Sequence, residues 1–154
     1  MMEWVYDRTQ ADVERVKVLN DKYAAGTISE EEKREWAAGM KGALNVADLN
    51  RIESNIREIA ETLSVSVTVK MWGVNQLPRA SDFKRIRDNV QRIREAWSAL
   101  KDTPATPDPP LTTYQKWNAI ERILHDVKYV YDRVMGSYYY CGDEIYAGEG
   151  IGIL

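Results

Sequence analysis

Leu49, Ile52, Ile56, Ile59 and Leu63 step along the chain by three, four, three and four residues. Phe83, Ile86, Val90, Ile93 and Trp97 repeat those steps 34 residues later, and Trp117, Ile120, Leu124, Val127 and Tyr131 repeat them after 34 more. Such steps keep side chains on one helical face, so the pattern predicts three amphipathic helices carrying one stripe in register. Each stripe is too narrow to be stable alone in water and must bury against the others or against a partner chain. Three-four stepping is also that of a coiled-coil seam, which leaves open whether the stripes close within one chain or between chains. The period matches that of helix-pair solenoids, yet only one helix fits each unit and the connectors differ. The expected fold is therefore mainly α, a bundle of three long helices with one or two shorter N-terminal helices.

Cap signals set the boundaries. Thr9 with Asp12 opens a helix from about Gln10 to Ala25, with Gly26 as its stop. Ser29 and Glu32 have the spacing of a capping box for a short helix, Glu30 to Ala38, whose one large apolar side chain, Trp36, makes it a bracket held by an indole. Asn45 caps the central helix, Val46 to Leu63. Ser81 is read as the cap of the next, which runs to about Lys101, and Thr112 or Thr113 opens the last, ending at Met135 and Gly136.

Between the long helices the pattern changes. Residues 64–71 alternate polar and apolar with β-branched content, which predicts a strand with one buried face. Residues 102–110 contain Pro104, Pro107, Pro109 and Pro110 and are expected to form a stiff connector long enough to cross the molecule. In the tail, 137–154, Gly142-Asp143 lies between Tyr138-Tyr139-Tyr140 and Glu144-Ile145-Tyr146, a hairpin signal. Paired with the 64–71 strand, that hairpin is expected to make a small antiparallel β element. The chain thus divides into a helical bundle domain, 1–136, and a Tyr-rich tail, 137–154, for partner contact.

Composition narrows the chemistry. The 21 basic and 24 acidic residues give a formal charge of −3, so no global field draws nucleic acid or an acidic membrane. The single cysteine, Cys141, rules out an internal disulfide and suits a reducing cytosol. Met1-Met2-Glu3-Trp4 is acidic and aromatic where a secretion signal is basic and then apolar, so neither a signal nor a membrane span is expected. Five Trp and nine Tyr against one Phe favour half-buried positions and contact surfaces.

No catalytic, cofactor or metal motif is present. His125, the one histidine, has no converging ligand in the sequence and reads as a partly exposed helical residue. Glu58 and Glu61 point outward from one helix rather than across a cleft and read as solvated surface. The helix 82–101 carries Lys84, Arg85, Arg87, Arg92, Arg94 and Lys101 against Asp82, Asp88 and Glu95. This basic excess supports an alternative reading as a small regulatory module engaging nucleic acid or an acidic protein, although mixed acids favour a salt-bridged outer face. Trp4 and Tyr6, together with Tyr138, Tyr139, Tyr140, Ile145 and Tyr146, are the expected partner contacts, because aromatic hairpins left in water mark docking surfaces.

Two blocks carry a resemblance. The run Trp4 to Val16, with Tyr6-Asp7-Arg8-Thr9-Gln10-Ala11-Asp12-Val13, and the run Lys41 to Asn55, with Ala47-Asp48-Leu49-Asn50-Arg51-Ile52-Glu53, resemble tail-region structural proteins of phages and prophages of Gram-positive gut bacteria. The ending through Gly148-Glu149-Gly150 is similar to segments of tail-fibre and baseplate components. The resemblance implies a non-enzymatic virion protein, made in the bacterial host cytoplasm and placed in the tail. It would act as an adaptor contacting other tail proteins and itself, with no cofactor or small-molecule substrate.

Overall fold

The computed structural model describes residues 2–138. It is mainly α, with five helices: α1 (Gln10–Ala25), α2 (Glu30–Ala37), α3 (Val46–Leu63), α4 (Ala80–Ala96) and α5 (Tyr114–Met135). Capping boxes close the starts of α1, α2 and α3 at Thr9, Ser29 and Asn45. None of these helices is long and apolar enough to cross a membrane.

The three stripes close on one another within a single chain. Ile52, Ile56, Ile86, Val90, Ile93, Ile120, Leu124 and Val127 are all fully buried in one cluster. The 34-residue register appears as layers: Phe83 meets Trp117 edge to face at 5.4 Å at the start of α4 and α5, and Trp97 meets Tyr131 at 5.4 Å at their ends. Start meets start and end meets end, so α4 and α5 are parallel. Arg85 of α4 bonds Glu53 of α3 at 2.9 Å, again early with early, and α3 runs the same way. Parallel helices need a return path, and the two connectors supply it.

Here the β expectation fails. No strand or sheet occurs among the described residues. Residues 64–71 do alternate, with Val65, Val67 and Val69 packed against the core and Ser66, Thr68 and Lys70 exposed, as period two requires of an extended chain. Its backbone, however, is satisfied by side chains instead of a neighbouring strand. Arg92 donates to the Ser66 carbonyl at 3.2 Å, Asn89 and Arg85 both donate to that of Thr68 at 2.8 Å, and Glu53 accepts from the Lys70 amide at 3.3 Å. Two helices flanking the segment provide the groups that a second strand would have offered. The proposed partner, the hairpin of the tail, falls on residues 139–154, outside those described.

The proline run does the same between α4 and α5. Arg94 donates to the Pro104 carbonyl at 3.1 Å and Arg87 to that of Pro107 at 3.2 Å, so the connector travels back along α4 to the start of α5. Lys116 then holds the carbonyls of Asp108 and Pro110, each at 2.8 Å. The N-terminal arm, residues 2–8, occupies the remaining groove between α3 and α5: Asn55 donates to the Glu3 carbonyl at 2.9 Å and Glu121 accepts from the Val5 amide at 2.9 Å.

Two boundaries of α4 differ from expectation. Arg79, not Ser81, is its N-cap, and Asp82 accepts from the Arg79 amide at 2.9 Å. The helix ends at Ala96, well before Lys101, because Trp97 turns extended to meet Tyr131. α1 and α2 form a separate hairpin in which Leu19 is the one buried side chain. Gly42, in the loop leading to α3, passes so close to α1 that a Cβ there would lie 2.2 Å from the Asp12 carbonyl oxygen.

Candidate functional site

The partner contacts expected from sequence fall into two groups. Trp4 and Tyr6 sit on the N-terminal arm, which is fastened by buried charge. Arg8, 5% exposed, donates to Glu121 at 2.9 Å and to the Val5 carbonyl at 2.6 Å, while its backbone is bracketed by Asn118. Arg51 reaches the same Glu121 carboxylate at 2.7 Å and Asp48 at 2.8 Å. Two cations and two carboxylates thus neutralise one another where the arm crosses α3 and α5. This matters because an uncompensated charge there is costly.

With its base held, the arm lays both aromatics on His125 of α5. Trp4 meets the imidazole edge to face at 5.6 Å, Tyr6 at 5.1 Å, and Tyr129 stacks on it at 6.1 Å. The histidine is half-buried in this nest, with Nδ1 2.8 Å from Oδ1 of Asp126. Asp126 also accepts from Thr103 at 2.6 Å and from Arg122 at 2.9 Å. Burial pushes this carboxyl up, but the bonds from Thr103, His125 and Arg122 outweigh it and leave its pKa below the usual value.

Tyr138 lies just beyond the end of α5 and is 64% exposed, in a stretch where Tyr129 and Met135 are also exposed. Tyr139, Tyr140, Ile145 and Tyr146 lie outside the described residues. The basic side chains of α4 are engaged inside the chain: Arg85 with Glu53, Arg92 with Ser66, Arg87 with Pro107 and Arg94 with Pro104. The remaining lysine of the helix, Lys84, pairs with Asp88 at 2.6 Å.

No family model, curated protein or solved structure matches the chain. Function is therefore read from the surface itself. Among the described residues no three His, Cys, Asp or Glu side chains converge as a metal site. A cleft of ≈ 580 Å³ opens between α1 and the start of α5, floored by Val13, Leu44, Phe83, Leu111 and Trp117. One surface escaped the sequence reading, the loop after Trp72, where Val74 and Leu77 are each 88% exposed. Its signal was available: apolar residues interspersed with Gly73, Asn75, Gln76 and Pro78, in a stretch without a carboxylate.

Proposed function

We propose that this chain is a non-enzymatic structural protein of a tailed phage, an adaptor in the tail, baseplate or fibre-attachment region that works through protein–protein contacts. The virion setting rests on the resemblance of the Trp4–Val16 and Lys41–Asn55 blocks. The adaptor role rests on one observation: Met135 at the end of α5 and Tyr138 just beyond it are exposed, and the sequence continues at once into Tyr139 and Tyr140. Large aromatics left in water at the end of a well-packed helix gain most by burial against another protein. The bundle supplies a fixed body, because its connectors and arm are tied down by side chains from the helices they follow. Engagement of the α4 arginines within the chain weighs against the basic helix as a nucleic-acid surface.

The test is the protein composition of purified phage particles from a host carrying the gene. The adaptor reading expects the chain at a fixed copy number per particle, resistant to high-salt washing. Absence from particles, combined with DNA retention that falls steeply as salt rises, would overturn it in favour of the regulatory module.

A further inference from the structure

The loop between Trp72 and α4 is held at both ends while its apolar tip is left in solvent. Asn50 brackets Trp72, accepting from its amide at 2.7 Å and donating to its carbonyl at 3.0 Å, and the Trp72 ring is buried. The turn is closed by the Gln76 amide on the Gly73 carbonyl at 3.1 Å and by the Gly73 amide on the Gln76 side chain at 3.0 Å. Arg79, capped by Asp82, fixes the exit. Met71, Val74 and Leu77 are nevertheless 69, 88 and 88% exposed. A fastened loop has already given up the conformational entropy that binding would otherwise cost, so its apolar tip is preorganised for contact. From Lys70 to Arg79 it carries two cations and no carboxylate; Lys70 is engaged by Asp82 at 3.7 Å and by the Trp72 ring at 4.0 Å, and Arg79 makes no ion pair among the described residues.

A complementary surface exists on the α1–α2 hairpin. Tyr23 and Trp36 stack at 5.1 Å with planes 12° apart, and the Trp36 indole N–H is fixed on Asn20 at 2.8 Å. Both rings remain exposed, at 56 and 41%. Residues 10–37 hold seven carboxylates against five cations. Of those carboxylates, Asp21 and Glu31 are exposed and make no ion pair among the described residues.

We propose that the 71–77 loop of one copy docks on the Tyr23–Trp36 stack of the next. Met71, Val74 and Leu77 cover the aromatic faces, while Arg79 faces Asp21 and Glu31. The two surfaces differ, so the contact is head to tail and generates a ring or an open string of copies rather than a two-fold dimer. This deepens the adaptor reading, on which it rests for its setting in a particle. It is tested on purified protein, so its failure is distinguishable from absence of the chain from virions.

Sedimentation velocity of the full chain over a range of concentrations is the experiment. The wild type is expected to self-associate. The loop variant Val74→Asp/Leu77→Asp and the hairpin variant Asp21→Lys/Glu31→Lys, both with unchanged circular dichroism and Tm, are expected to bind themselves at least about tenfold more weakly. Mixed one to one, the two variants should give a dimer and nothing larger, since one intact loop meets one intact stack. A wild type that stays monomeric, an oligomer indifferent to the loop variant, or a mixture that remains monomeric would overturn the proposal. So would co-flotation with phosphatidylcholine–phosphatidylglycerol vesicles that the loop variant abolishes, which would make lipid the occupant.

Discussion

Charged residues carry more of this structure than their usual surface role suggests. Glu121 is fully buried on α5 and receives Arg8, Arg51 and the Val5 amide, so neutralising it strands two guanidinium groups near the core. Glu121→Gln keeps the volume and removes the charge. It should lower the unfolding free energy by about 3 kcal/mol in urea titrations with an unchanged m-value, Asp48 still sharing part of the load. Lys84→Gln, which breaks an exposed pair with Asp88, should change it by less than about 0.5 kcal/mol. Asp126 adds a pH dependence. Its folded pKa lies below the unfolded value near 3.8, so its contribution is fully present above that value and is lost as pH falls through the lower, folded pKa. Acid titration of Tm should therefore show a limb below pH about 4 that Asp126→Asn flattens.

At the scale of elements, the 34-residue period describes a helix plus an extended return, and the return is held by side chains at fixed places in the repeat. Glu53, Arg87 and Glu121 stand 34 residues apart and each bonds the backbone of a different extended segment: Lys70, Pro107 and Val5. Asn55 and Asn89, one period apart, both donate to carbonyls of such segments. Asn50→Ala should consequently loosen the 64–72 return without melting the bundle. The expected loss is about 1–3 kcal/mol, and the Trp72 amide, now without its acceptor, should exchange much faster with solvent than the core amides of α3. The apolar half of this repeat was legible, since Leu49, Phe83 and Trp117 announce it by spacing alone, and so were the caps at Thr9, Ser29 and Asn45, with Thr113 one of two candidates for the last helix. The polar half was hidden. A buried Glu53 or a half-buried Arg87 has the same letters as a solvated one, and an alternating stretch such as 64–71 says that one face is buried without saying whether a strand or a row of side chains satisfies its edges. The α4 boundary was missed for a related reason: Trp97 fits the helical stripe, yet leaves the helix to form the last aromatic layer with Tyr131.

For the whole molecule, three parallel helices with an extended segment in every groove make a closed body. Val130 is the last buried side chain of α5, and among the described residues nothing after it belongs to the core cluster. Of the expected partner contacts within the described residues, Trp4 and Tyr6 are packed on His125 of the same chain and Tyr138 is exposed; the 71–77 loop and the Tyr23–Trp36 stack are further exposed apolar groups. In the proposed assembly the loop and the stack join copies, and the tail attaches them to a neighbour. Removing residues 137–154 should accordingly leave Tm within about 2 °C of the full chain, because the described core closes on residues that precede them. Self-association in solution should persist, whereas incorporation into particles, quantified by mass spectrometry, should fall to background. A truncated chain that still enters particles at full copy number would move the attachment from the end of α5 to another surface of the bundle. The cleft beside Phe83 and Trp117 would then be the next to substitute.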